Sequence, residues 1–364
     1  MKKPILLAVY TILFLCMSSC IKDEPLFREA DIDAFNLPDD IMINSVITES
    51  DTTILIMVSD TVGIQERNFA PKILISPNAT IEPAVGDSIK FQNYEAVYKV
   101  TSEDGTISKT YNVKIVPFVK LKFDFEDWTT GFYGGTKEYP LLNDKFWDNA
   151  NYGVAMVKSY GLEDYPTRWT TDSYKGKYAA LLETQKGVKI LFIKIPIFAG
   201  SMFRGSFKLD IGSPAKSAHF GQIHPEYAGK PVLFKGYYKY KPGDVFTDKD
   251  EKVVEGRVDE CSIYAVMYKV TKGAAGREEY LDGSNINTSD KVVARADLTD
   301  TSAKGEYTAF SIPFVYSEEL NYNQYDYKLA IVFSSSKNGD SYEGAVGSTL
   351  IVDEVEVVCD KIKK

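Results

Sequence analysis

Five aromatic residues, Trp128, Trp147, Trp169, Tyr237 and Tyr264, combine flat apolar faces with polar neighbours, a pairing suited to holding a sugar. Saccharides present patches of C–H groups that pack on ring faces, while their hydroxyls reach nearby amides and charges. The three tryptophans lie in loop-like stretches rich in Asp, Asn, Thr and Gly, where a part-exposed indole would make a platform. Core or loop packing is the competing role for each, because an indole is large and apolar. Over residues 232–241, alternation puts Val232, Phe234, Tyr238 and Tyr240 on one face and Leu233, Lys235, Tyr237, Lys239 and Lys241 on the other. Tyr237 therefore stands among lysines on the wetter face. Tyr264 and Tyr268 share one face of the run that starts at Cys261, opposite Ile263, Ala265 and Met267. A strand apolar or aromatic on both sides belongs in the middle of a sheet, one side on the core and the other lining a concavity.

Carboxylates offer a second kind of chemistry. Asp124, Glu126 and Asp127 lie near the first strand of the larger C-terminal segment, and Asp353 lies in its last. Strict alternation makes Asp353 the lone acid among Ile351, Val355 and Val357, a costly placement unless the carboxylate is paired or metal-bound. Glycoside hydrolysis needs two carboxylates flanking the scissile bond, roughly 5 to 9.5 Å apart. Glu163 and Asp164 beside Tyr165, or Asp144 and Asp148 around Trp147, fit arithmetically, yet solvated loop acids explain them as well. His219 and His224 form no metal-ligand spacing, and no nucleophile motif, phosphate loop or zinc-type cysteine pair is present. Packed or surface histidines are the expectation.

Strands must position all of these groups, because no stretch shows sustained helical periodicity. Residues 39–117 hold short apolar runs at 41–47, 53–58, 71–75 and 96–101. Tyr98-Lys99-Val100-Thr101 alternates up to Ser102-Glu103-Asp104-Gly105, and residues 110–116 alternate away, which predicts a hairpin around an Asp-Gly turn. An immunoglobulin-like sandwich is the expected form of this segment. Residues 118–361 carry strand candidates at 120–125, 178–182, 188–198, 205–211, 232–240, 261–270, 307–314, 327–334 and 350–358. That number of strands predicts a larger jelly-roll β-sandwich, so the whole chain reads as all-β.

The start of the chain reads as an address. Lys2 and Lys3, an apolar run over residues 5–15 and the small pair Ser18-Ser19 precede Cys20, which predicts a lipoprotein signal peptide over 1–19 with lipid attached to Cys20. The apolar run is shorter than the roughly 20 residues a spanning helix needs, so attachment would rest on acyl chains. Residues 20–38, charged and aperiodic, read as a tether. Loss of Lys2 and Lys3 takes the formal charge from −9 to −11, which argues against nucleic acid as a partner. With 24 tyrosines, 20 phenylalanines and 2 histidines, the composition favours stacking surfaces over a transition-metal site. Cys16 leaves with the leader and Cys20 takes lipid, leaving Cys261 and Cys359, whose spacing does not demand a disulfide.

The run Gly229-Lys230-Pro231-Val232-Leu233-Phe234-Lys235-Gly236-Tyr237-Tyr238-Lys239-Tyr240-Lys241-Pro242-Gly243 resembles a segment of the putative carbohydrate metabolism domain (PCMD) of Bacteroidota lipoproteins. Similar agreement is found in Phe123-Asp124-Phe125-Glu126-Asp127-Trp128, in Gly176-Lys177-Tyr178-Ala179-Ala180-Leu181-Leu182-Glu183, in residues 334–340 and in residues 347–355. The N-terminal segment resembles the immunoglobulin-like module that often precedes this domain, and Ile21-Lys22-Asp23-Glu24 resembles the acidic export signal of lipoproteins that face the medium. The resemblance implies a jelly-roll related to carbohydrate-binding modules on the outer membrane, facing the exterior, and no known reaction. Related modules hold a structural calcium with acids near the first and last strands, which makes Glu126 and Asp353 the expected oxygen ligands. A surface lipoprotein that binds glycan is the leading expectation, a two-carboxylate glycoside hydrolase and a structural or adhesive surface protein being the alternatives.

Overall fold

The computed structural model describes residues 25–38, 41–48, 52–58, 64–117, 119–190 and 193–360. The leader, Cys20 and the export signal expected at residues 21–24 lie outside them. Contacts divide the chain into two compact units at residues 118 and 119. Both units are built of strands, and among the described residues no helix is long and apolar enough to cross a membrane.

The first unit centres on a five-stranded sheet in the order Met42–Thr48, Thr53–Val58, Ser108–Pro117, Glu95–Thr101, Thr80–Glu82. Thr53–Val58 runs parallel to Ser108–Pro117, and the other pairings are antiparallel. Its inner face supplies Ile54, Ile56, Tyr98, Val100 and Val113 to a core completed by Phe35, Phe69 and Phe91. The predicted turn forms as read: Gly105 takes φ +68°, its N–H donates to the Ser102 carbonyl at 2.9 Å, and Asp104 accepts from Ser102 and Thr106. The unit begins earlier than the expected tether allows. Ile32–Asn36 is a strand paired with Lys72–Ile75, and Ala30, Ile32, Phe35 and Leu37 are buried. An irregularity between Ile32 and Ala34 breaks period-two alternation there, which hid the strand in the sequence.

Two large antiparallel sheets form the body of the second unit, with three two-stranded sheets beside them. One has the order Thr167–Thr170, Ala179–Glu183, Thr349–Asp360, Lys230–Lys241, Lys304–Pro313, with Lys122–Phe123 added on Thr349–Asp360. The other runs Trp147–Asn149, Ser201–Phe207, Tyr325–Ser334, Ser262–Thr271, Val292–Asp297, Val315–Tyr316, with two short strands added. Phe234, Tyr238, Tyr240, Leu350 and Val352 from the first sheet meet Met202, Ile263, Ala265, Met267, Leu329 and Phe333 from the second in one core. Gly236 interrupts the inward row for a steric reason, since a Cβ there would stand 2.8 Å from the Phe310 ring.

Some local expectations shift. Residues 188–198, read as one strand, form a hairpin of Gln185–Ile190 with Ile193–Phe198. The tryptophans, read as loop residues, all occupy strands: Trp128–Tyr133, Trp147–Asn149 and Thr167–Thr170. Cys261 and Cys359 are free thiols, both pushed up to about 12 by burial.

Candidate functional site

The outward face of the six-stranded sheet carries an aromatic shelf. Tyr237 projects there because Gly236 and the alternation of Lys230–Lys241 turn Phe234, Tyr238 and Tyr240 inward. Across the ladder it is flanked by Asp353 on one side and Ala309 on the other. The loop at residues 171–178 brings Tyr174 flat onto Tyr237, with ring centroids 3.6 Å apart and planes 13° from parallel. Tyr307 meets Tyr174 edge-on at 5.7 Å, and its hydroxyl donates to the Asp172 carbonyl at 2.6 Å. Lys239 reaches the Asp172 carboxylate at 2.9 Å and lies over the Tyr307 ring. Further ion pairs, Lys175 to Glu354 and Lys122 and Lys235 to Glu356, ring the shelf with polar groups. Tyr174 is 46% exposed, so one broad ring face and several charged groups meet solvent together.

Two carboxylates hold the loop in place. Asp353 accepts the Tyr174 N–H at 2.8 Å and the Lys175 N–H at 3.0 Å on one oxygen, and the Glu354 N–H at 2.8 Å on the other. Glu126 accepts the N–H groups of Lys177 and Tyr178 at 2.9 to 3.2 Å. Gly176 between them takes φ +76°, and a Cβ there would sit 1.9 Å from Glu126 Oε1. Asp353 does not stand among core valines as strict alternation predicted. Glu354 takes φ +47° and the register slips between Lys235 and Tyr237, a bulge that leaves Asp353 on the outward face with Glu356 while Val355 and Val357 turn inward. Burial under the loop raises the Asp353 pKa, and its three N–H donors pull the other way. These positions do not fit the expected calcium. Their oxygens face N–H donors, which occupy the directions a cation would need. Among the described residues no group of three or more His, Cys, Asp or Glu is placed to hold a metal.

The remaining ring candidates are dispersed. Trp147 is 4% exposed, stacked on Phe333 and edge-on to Phe123 and Phe125, so it is core and no platform. Trp169 lines up with Ala180, Val352 and Tyr238, which places it on the inner face at the sheet edge. There it meets Trp128 at 6.0 Å, and Trp128 Nε1 donates to the Phe125 carbonyl. Both indoles are half-buried and close the rim of the core. Tyr264 does lie in a central strand, but the face expected to line a concavity is covered by a second apolar layer with Tyr268, Leu281 and Ile286. The Arg295 guanidinium lies 5.2 Å from the Tyr264 ring centre. Of the five rings, Tyr237 alone joins the shelf.

Residues 124–358 match the family model described as Putative carbohydrate metabolism domain, and residues 32–115 match the one described as SGBP, N-terminal. The chain belongs to the putative carbohydrate metabolism domain family. A crystal structure described as a putative glycoside hydrolase from Bacteroides thetaiotaomicron is 32% identical, with 93% of this chain and 99% of that one covered and a TM-score of 0.58. A second, from Bacteroides vulgatus and described in the same words, is 33% identical over 66% of this chain and 98% of that one, with a TM-score of 0.57. No curated protein matches.

In this family member three of the four acids considered from the sequence, Asp144, Asp148 and Asp164, hold backbone N–H groups. Asp148 accepts the N–H groups of Phe207 and Asn149, and Asp144 accepts that of Phe146 and pairs with Lys120. Asp164 caps the short turn Leu162–Asp164 through the Gly161 N–H, with Glu163 beside it in the same turn. An open cleft of about 560 Å³ between the sheet edges holds Asp297 and Asp300. Arg295 grips Asp297 with two N–H groups, at 3.0 and 2.7 Å. Lys304 and Ser302 hold the Asp300 carboxyl down to about 2, the opposite of what a general acid requires. His224 is buried with Nε2 against the Gly229 carbonyl, and His219 stacks on Tyr280.

Proposed function

We propose that this protein is a surface lipoprotein of the glycan-binding kind, which holds saccharide on the shelf formed by Tyr174, Tyr237 and Tyr307. The observation that carries the reading is the half-exposed Tyr174 ring stacked on Tyr237, with Asp172, Lys175 and Lys239 within the same patch. A sugar ring packs on the open tyrosine face, and its hydroxyls bond to the surrounding carboxylates and ammonium groups. The carbohydrate-related domain and the match of residues 32–115 to an SGBP N-terminal model support the same assignment. Lipid on Cys20 would keep the protein on the outer membrane facing the medium. Glycan-array binding by the folded protein, lost on Tyr174→Ala, tests the shelf. Mass spectrometry of the membrane-extracted protein, with Cys20→Ser as control, tests the anchor.

A second reading, glycoside hydrolysis, comes from the description of the two crystal structures about one-third identical to this chain. Release of reducing sugar from a polysaccharide panel, abolished by one carboxylate-to-amide change, would support it. The cleft acids weigh against it, because both are ion-paired.

A further inference from the structure

The outward face that carries the shelf continues past it to a groove. Along Lys230–Lys241, Tyr237 is paired with Asp353, Lys239 with Ile351 and Lys241 with Thr349. Leu181 and Glu183 extend the last two rows onto the neighbouring strand, and both are part-exposed on this side. Beyond them Glu183 lines a groove of about 410 Å³ together with Lys158, Tyr160, Asp164, Gln185 and Lys186. Four residues of strand separate the Tyr237 row from the Glu183 row, about 13 Å. One sugar ring cannot bridge that span, whereas a chain of them can.

The groove has fixed walls and mixed chemistry. The Gly347 N–H donates to the Thr184 carbonyl and the Thr184 N–H to the Ser348 carbonyl, each at 2.8 Å, which sets the floor. Gln185 Nε2 donates to the Asp164 carbonyl at 2.8 Å and ties one wall to the turn Leu162–Asp164. Tyr160 is propped edge-on by the buried Tyr165, with ring centres 5.6 Å apart. Glu183 gives one oxygen to Arg168 at 2.7 Å. The lysines around the shelf are ion-paired, whereas among the described residues neither Lys158 nor Lys186 has a carboxylate within ion-pair distance. A shallow groove of ammonium donors, carboxylate acceptors and one ring suits a polyhydroxylated ligand, whose hydroxyls donate and accept at once.

Given that the shelf holds saccharide, we propose that this groove is a second saccharide subsite and that the protein takes an extended run of a polysaccharide, laid along the outward face from Tyr174 to Tyr160. One chain that occupies both places makes the second contact intramolecular, so its affinity exceeds what the shelf alone supplies.

The test is titration of the folded full chain with a ladder of oligosaccharides, from disaccharide to octasaccharide, cut from the polysaccharide that binds best on a glycan array. Affinity is expected to rise at least about tenfold along the ladder. Tyr160→Ala should bring the octasaccharide back toward disaccharide affinity and leave disaccharide binding unchanged, while Tyr174→Ala should weaken both. Should Tyr160→Ala fail to fold, Val346→Trp fills the groove from a position 49% exposed and gives the same readout. Groove variants that bind the octasaccharide at full strength overturn the second subsite and leave the shelf standing. Absence of binding to every polysaccharide on the array, or disaccharide binding untouched by Tyr174→Ala, removes the shelf and the subsite with it.

Discussion

Tyr174 lies flat on Tyr237, 3.6 Å between ring centres, although one residue belongs to a loop and the other to the middle of a long strand. The nearby Tyr237 side chain is the leading cause of a raised Tyr174 pKa. The outer ring keeps a face in solvent while the inner one gives it a rigid backing.

Loop and shelf should fail together when the pin is drawn. Asp353→Ala leaves the N–H groups of Tyr174 and Lys175 without their acceptor, at a cost of about 1 to 3 kcal/mol. Hydrogen exchange should then quicken at those two amides, and glycan affinity should fall although no ring has been altered. Protection unchanged at both amides would show that the loop is held by other means.

The indole and tyrosine sites should separate cleanly. Trp147→Ala opens a cavity in the core and should cost about 3 to 5 kcal/mol of stability. Tyr174→Ala, on an exposed loop, should leave the unfolding free energy from denaturant titration within about 0.5 kcal/mol of the parent. Similar losses of stability for the two variants would contradict the placement of Trp147 in the core and Tyr174 outside it.

Acid should weaken the protein through His224. Burial lowers its pKa from 6.5 to about 4, so the folded state favours the neutral ring. The stability this carries is full above pH 6.5 and is lost as pH falls from 6.5 toward 4, by about 3 kcal/mol. His224→Gln keeps a donor for the Gly229 carbonyl and removes the titration. Urea midpoints measured across that window should fall less steeply in the variant, and parallel curves would rule this group out as the cause.

Thiol chemistry should be quiet. Cys261 and Cys359 are free, with both thiols raised to about 12. A disulfide-exchange reagent should react slowly with the native protein and quickly in denaturant, and reducing agent should not move Tm. A Tm drop on reduction would mean that the two are bridged.

Much of this arrangement was legible in the residues. From Phe234 to Tyr240 the strand alternates residue by residue, so the outward place of Tyr237 could be read directly. The Asp-Gly hairpin at residues 98–116 is equally local and equally readable. Asp353 was misplaced because the bulge at Glu354 shifts the alternation by one residue, a slip that exchanges faces. The sequence leaves Trp147 open between platform and core, because its strand has only three residues, too few to show a period. Tyr174 was missed for a different reason. It lies in the aperiodic stretch Asp172-Ser173-Tyr174-Lys175-Gly176, and only the three-dimensional pins from Asp353 and Glu126 bring it onto Tyr237. The Gly176 next to it was the one local hint of a tight turn.

Isothermal titration of the folded protein with a glycan selected on an array, repeated with Tyr174→Ala and Tyr237→Ala, addresses the shelf most directly. Each substitution is expected to weaken binding by about 1 kcal/mol or more, roughly fivefold, with Tm of the Tyr174 variant unchanged. Full-strength binding by both variants would contradict the assignment of the saccharide to this face of the sheet.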